Sequence, residues 1–343
     1  MTPRAVATVG AVVGLLTMTA MLQVLALRAL RMLRQRREAY ATGLWQPLLI
    51  GAVEVRPPEL PPLARRDVRT FLTIWNHLHA TVLDDAKERL NEVAARLGVP
   101  AVARRMAARG SVGRRLLGVV TIGQLRDPIL WEPLCALAAG PSTMLSLAAA
   151  RALIQIDPRA GIECVMPLVA SRLDWPPSRV VQLLQAAGPD VISAPLARAA
   201  LAADATHAPH LIRYLDVVHC ETAIPTVRRI IHGSDDTDVV GACLRVFRDP
   251  EDLDTVRAFL GDLRWQVRVQ AAAALGRVGT ADDEPRLAGM LGDPEWWVRY
   301  RAAHALAALL ADAPERLDRL QQEHPNPFAR DILRQARAER RLQ

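Results

Sequence analysis

Apolar residues recur along this chain in two ways. From Ala5 to Leu27 no charged side chain interrupts them. Beyond residue 111 they return in short blocks spaced three and four apart. Val267, Ala271, Leu275 and Val278 fall on one helical stripe, and Val298, Ala302, Leu306 and Leu309 repeat it. Leu275 and Leu306 are 31 residues apart, and the series runs back through Leu244, Leu215, Leu184, Leu153 and Ile122. Every step is 31 residues except one of 29 between Leu215 and Leu244. A repeat of that length predicts stacked helix pairs, each burying against its neighbours a face it cannot bury alone. The alanines between the large residues let successive helices pack closely.

The boundaries carry their own signals. Asp127-Pro128, Asp157-Pro158 and Asp293-Pro294 place an acceptor before a residue that needs no backbone donor, the arrangement of a helix start. Second helices are shorter, as from Asp282 to Leu291. Thr226-Val227-Arg228 returns as Thr255-Val256-Arg257, which fixes the 29-residue unit independently of the leucines.

Ahead of the repeats, the Ala5 to Leu27 segment is long enough to span a hydrocarbon core of roughly 30 Å as a helix. Arg28, Arg31, Arg34, Arg36 and Arg37 follow it, against Arg4 alone before it. That asymmetry predicts an uncleaved anchor in an inner membrane, with a periplasmic N-terminus and a cytoplasmic body. Gly10 and Gly14 form a Gly-xxx-Gly pair on which two such helices, and hence a homodimer, can close. The arginines are placed to meet anionic lipid. Prolines from Pro47 to Pro62 predict a semi-stiff spacer over Leu44 to Leu63. Arg65 to Leu97 reads as a helical cap, with Phe71, Trp75, Leu78 and Val82 on one face.

Asp262 followed six residues on by Arg268, and Asp293 by Arg299, each ahead of an alanine-rich run, resemble HEAT repeats of the short type also found in phycobilin lyases. The resemblance covers roughly residues 111 to 325. It implies a ladder in which Asp262, Arg268, Asp293 and Arg299 pair between successive repeats. Thr237 and Ser146 stand at the arginine position in two middle repeats, so the ladder there is degenerate. The whole layout resembles bacterial membrane-anchored HEAT-repeat proteins, and the resemblance implies a membrane client, a glycosyltransferase of exopolysaccharide synthesis among the possibilities.

Composition narrows the chemistry. The 343 residues are 51% hydrophobic but only 4% aromatic, which suits close-packed helices. The net charge of +7 is carried almost wholly by arginine, Lys87 being the single lysine. Cys135, Cys164, Cys220 and Cys243 show no metal or disulfide spacing and read as small apolar residues of a reducing compartment. The nearest approach to a metal set is His207, His210, His219, Cys220 and Glu221. It lacks ligand periodicity, so no metal or cofactor is expected. No phosphate loop, nucleophile elbow or distinctive carboxylate pair is present, so no catalytic residue is assigned and the chain is expected not to be an enzyme.

Two surfaces remain. Trp296, Trp297, Tyr300 and Arg301 fit either packing between repeats, since Trp265 is equivalent to Trp296, or an exposed partner-binding strip of residue types enriched at hot spots. Arg104, Arg105, Arg109, Arg114 and Arg115 fit a solvated face or contact with lipid or an acidic partner. Nucleic acid is not expected, because later repeats are near neutral.

The reading is an all-α chain: a right-handed α-solenoid of about seven HEAT-like helix pairs behind an N-terminal transmembrane helix. Residues 1–27 form the anchor, 28–63 the basic juxtamembrane helix and spacer, 64–110 the helical cap, 111–325 the repeats and 326–343 a closing helix. The expected function is a membrane-tethered scaffold or regulator of a membrane-associated enzyme complex in cell-envelope synthesis. The alternatives are a lyase-like enzyme and a nucleic-acid-binding repeat protein.

Overall fold

A computed structural model describes the backbone of residues 3–55 and 59–341, and side chains over 18–33, 35–55 and 59–340. All regular structure among the described residues is helical. The chain divides into two compact units, Met1–Leu137 and Ala138–Gln343.

The first unit holds α1 (Pro3–Glu54), α2 (Val68–Thr81), α3 (Asp84–Arg96), α4 (Val99–Ala108) and α5 (Val112–Leu125), and α6 (Trp131–Ala138) begins within it. Ala41, Trp45, Leu49 and Ala52, three and four residues apart, are buried against Phe71, Leu72, Trp75 and Leu90. The Trp45 and Phe71 rings meet edge to face at 5.0 Å. This packing explains why α1 continues through Pro47, where a spacer is expected from the prolines. A helix-interior proline costs about 3 kcal/mol. Full burial of large apolar side chains returns about 1.5–3 kcal/mol each, and Trp45 and Leu49 are both buried. Arg89 then ties the end of α1 down, donating from Nε to the Val53 carbonyl at 3.0 Å.

The expected transmembrane helix and its placement are corrected here. Among the described residues no helix is long and apolar enough to cross a membrane. A membrane-length window that starts at Met18 takes in Arg28, Arg31 and Arg34, and charged groups are costly within hydrocarbon. The single-pass inner-membrane localisation, with N-terminus periplasmic and body cytoplasmic, is overturned with it. The side chains from Ala5 to Thr17, and with them the Gly10 and Gly14 pairing, lie outside the described residues, as does that of Arg34.

Deeper in this unit, Trp75 donates its indole N–H to the Leu90 carbonyl at 2.9 Å. Asn76 donates to Thr121 at 3.0 Å, and Gln124 to the Asn76 carbonyl at 3.2 Å, a polar seam between α2 and α5. Gly118 lets α5 lie on α4: a Cβ there would meet the Ala107 nitrogen at 2.5 Å and the Ala103 oxygen at 2.7 Å.

The second unit is a stack of helix pairs. They are α7 (Thr143–Ile156) with α8 (Pro158–Ser171), α9 (Pro177–Ala187) with α10 (Pro189–Ala202), and α11 (Ala208–Ile212) with α12 (Cys220–Gly233). Then come α13 (Thr237–Val246) with α14 (Leu253–Ala258), α15 (Trp265–Val278) with α16 (Glu284–Gly289), and α17 (Trp296–Leu309) with α18 (Pro314–Glu323). The last helix, α19 (Pro327–Arg341), packs on α17. The register residues Leu153, Leu184, Leu215, Leu244, Leu275 and Leu306 are all buried, as is Ile122 in the first unit. Asp157 caps α8, accepting from the Arg159 and Ala160 N–H groups at 2.9 and 3.0 Å. At Asp293 the acceptor stands three residues ahead of the helix, whose cap position is Glu295 rather than Asp293, and takes the Glu295 N–H at 2.8 Å.

Candidate docking surface

The most regular repeats, α15 to α18, position the candidate residues. Arg268 on α15 reaches Asp293 in the next repeat with two bonds, Nε to Oδ2 at 2.7 Å and Nη2 to Oδ1 at 2.9 Å. Its third nitrogen, Nη1, donates to the Asp262 carbonyl at 2.9 Å. The Asp262 carboxylate is engaged by Arg264 of its own turn, at 2.8 and 2.9 Å. Arg299 turns to the carbonyls of Asp293 and Pro294, at 2.7 and 2.8 Å. One side-chain rung between repeats is therefore present, flanked by arginines that cap turns. Burial works to raise the Asp293 carboxyl, but the bonds from Arg268 and the Glu295 N–H outweigh it and hold the group below the ordinary carboxylate value.

A second set of rungs links the second helix of one pair to the turn ahead of the second helix of the next. Arg228 on α12 pairs with Asp252 at 2.5 Å, and Arg257 on α14 pairs with the fully buried Asp283 at 2.7 Å. The recurring Thr-Val-Arg triplet marks both arginines in the sequence. Their partners, 31 residues apart, escape notice because each sits in a turn rather than on an apolar stripe. In the degenerate repeats a different device takes over. Ser146, at the ladder position, accepts the Trp175 indole N–H at 3.2 Å. Arg172 lies 5.6 Å from the Trp175 ring and pairs with Asp174 at 2.7 Å.

At the N-terminal end of α17 the aromatic residues form one continuous stack. Trp296 lies nearly parallel to Tyr300, with ring centroids 5.0 Å apart, and edge-on to Trp297 at 4.7 Å. Tyr300 in turn meets His304 at 4.4 Å and donates its hydroxyl to Glu339 of α19 at 2.8 Å. That bond to a carboxylate pushes the phenol pKa up. The stack is anchored at this inner end and open at the other: Trp296 is 43% and Trp297 56% exposed. Arg301, the next residue along, is exposed as well. One repeat earlier the counterpart of Trp297 is Gln266, also exposed. The position thus has no inward packing task, and the repeat fold gives no reason for an indole there.

The arginine groups are less uniform. Arg28, Arg31, Arg36 and Arg37 are exposed on α1. Arg104 pairs with Asp127 at 2.7 Å, and Arg115 caps the Ala107 carbonyl at 3.1 Å, while Arg105, Arg109 and Arg114 are exposed. The histidines are dispersed rather than gathered. His207 meets Asp204 at 2.8 Å, His219 meets Asp190 at 2.7 Å, and the buried His210 faces the Val169 carbonyl at 3.2 Å. Among the described residues no three His, Cys, Asp or Glu side chains come together as a metal-ligand set.

Comparison with known proteins bears on the C-terminal repeats. Residues 253–338 match the family model of HEAT repeats. The match falls on the last helix pairs of the second unit, α14 to α19, within a chain whose regular structure is all helical among the described residues. Among solved structures, the crystal structure of Kap121p bound to RanGTP is similar over 86% of this chain and 42% of that chain, with 11% identity and a TM-score of 0.40. No curated protein matches the sequence.

Proposed function

We propose that this chain is a non-catalytic protein-binding scaffold whose partner docks on the open end of the α17 aromatic stack. One observation carries the reading: Trp297 is 56% exposed at a position where the preceding repeat presents a glutamine to water. An indole offers about 150–250 Å² of surface, so covering the exposed half of Trp297 is worth about 2–3 kcal/mol. Trp296 and Tyr300 hold it in a fixed orientation, which lowers the conformational cost of binding. Arg301 beside the ring favours a partner segment with an apolar side chain next to a carboxylate. The membrane client, a glycosyltransferase included, lost its physical basis with the anchor and is not retained.

Site-specific photocrosslinking tests the proposal. A photoreactive phenylalanine analogue at position 297 of the full chain, expressed in its native cells, should yield a discrete protein adduct. The same group at position 266 should not yield it. Trp297→Ala with Arg301→Ala should weaken binding of the identified protein at least about thirtyfold, the scale of a hot spot, with melting unchanged. Identical adducts from positions 266 and 297, or undiminished binding by the double variant, would refute the docking surface.

A further inference from the structure

The turn inside the third helix pair of the second unit, with α12, and the turn inside the fourth flank an open cavity of about 310 Å³, walled by Leu215, Val218, Ile224, Val227, Val246 and Phe247. One repeat later the equivalent place is bridged. Val246 corresponds to Arg277, 31 residues on, and Arg277 reaches back to donate to the carbonyls of Leu244 at 2.7 Å and Arg245 at 3.0 Å. Val246 is too short to do this, and the space stays open.

The buried acid beside the cavity differs in the same way. Asp283 has both oxygens engaged: Arg257 donates to Oδ1 at 2.7 Å and to Oδ2 at 3.1 Å, and the Thr280 N–H adds a bond to Oδ2 at 3.0 Å. Its counterpart Asp252, 3% exposed and lining the cavity, takes Arg228 Nε on Oδ1 at 2.5 Å. The other arm of Arg228 turns instead to Asp249 at 3.2 Å, Asp249 standing where Thr280 stands in the next repeat. Asp252 Oδ2 is left with no hydrogen bond. A buried acceptor without a donor is unfavourable.

Charge points the same way. One guanidinium, Arg228, serves three carboxylates, those of Asp249, Glu251 and Asp252. In the lining itself the cation Arg248 is paired with Asp216 at 3.2 Å, beside the carboxylates of Asp249 and Asp252. The walls are apolar, the surplus charge is negative, and the missing group is a donor. We propose that this cavity binds the alkylammonium end of a ligand. Its chain would lie along Val218, Ile224 and Phe247, and its ammonium would supply the donor that Asp252 lacks. The site is separate from the α17 stack and stands or falls independently of it.

The test titrates the full chain calorimetrically with n-hexylammonium, n-hexanol and hexanoate, and follows alkylation of Cys220, an exposed thiol in the cavity lining, by mass spectrometry. Hexylammonium should saturate and slow alkylation at Cys220. Hexanol should bind about tenfold or more weakly, as expected for loss of a charged hydrogen bond, and hexanoate should not saturate. Val246→Arg copies the next repeat, keeps Asp252 with Arg228, and should abolish binding. Asp252→Asn should erase the preference for hexylammonium over hexanol, a ratio that partial unfolding does not mimic. N-acetyl-lysine methylamide separates two sources of the same chemistry: tighter binding than hexylammonium assigns the ammonium to a partner's lysine, weaker binding to a free amine. Equal binding of hexanol and hexylammonium, retained binding by Val246→Arg, or no saturation with any of the probes would overturn the site.

Discussion

Replacing Asp293 by alanine tests the physical basis of the repeat stack. Its side chain does two jobs, receiving both Arg268 nitrogens at 2.7 and 2.9 Å and the Glu295 N–H at 2.8 Å. The loss of an N-terminal acceptor costs about 1 kcal/mol. Removing one partner of a buried ion pair costs about 3–5 kcal/mol, and the two side chains here are only 14% and 10% exposed. Arg268 would keep two backbone carbonyls, at 2.9 and 3.2 Å, which favours the lower end. The expected total is about 4 kcal/mol, or a melting point lower by about 10 °C for a unit of this size. Asp293→Asn preserves an oxygen for the turn and should cost about half as much. Urea unfolding followed by circular dichroism gives the free energies. Combining Asp293→Ala with Arg268→Met should recover about 1–3 kcal/mol against the sum of the single changes. If Asp293→Ala costs only the cap, and the double variant is additive, the rung between repeats contributes nothing and the argument fails.

Three further outcomes follow from the same structure. Gly118→Val drives a branched side chain into the α4 backbone, 2.5 Å from the Ala107 nitrogen, and should cost over about 2 kcal/mol in urea unfolding; a loss below about 0.5 kcal/mol would show that α4 and α5 separate freely. Asp262, Asp283 and Asp293 all have carboxyls held below their ordinary value. The stability they contribute is complete well above the unfolded value of about 3.9 and is lost as pH falls below it towards the folded values. Unfolding free energy that stayed flat between about pH 5 and 2 would contradict those pairings. Glu339→Ala removes the acceptor that raises Tyr300, so its phenolate absorbance should appear at lower pH, nearer the ordinary value of about 10; an unmoved titration would exclude the bond.

Much of the second unit is legible in the sequence because a repeat states its packing several times over. The register leucines from Leu153 to Leu306 are buried throughout. The α1 helix was not legible in the same way. Charge and proline content divide residues 3–54 into anchor, flank and spacer, whereas Trp45 and Leu49 gain enough by burial on α2 to carry one helix through all three. For the α17 strip, sequence alone leaves packing and exposure open, since Trp296 and Trp265 occupy equivalent places. The contrast between Trp297 and Gln266 becomes informative only once both positions are seen to face water. The Arg228 and Arg257 rungs were half visible, with the arginines in register but their acids hidden in turns.

The 29-residue step gives the stack an uneven compliance. On its C-terminal side, Arg277 reaches back across one joint and the rung from Arg268 to Asp293 fastens the next, so neighbouring repeats share load through charged bonds as well as apolar contact. At the step itself Arg228 to Asp252 and Arg248 to Asp216 cross the joint, but Val246 leaves space where Arg277 would stand. In a one-dimensional array, bending concentrates at the softest joint. The second unit should therefore yield first at the joint between its third and fourth helix pairs, and a ligand filling the space beside Asp252 would stiffen the row there.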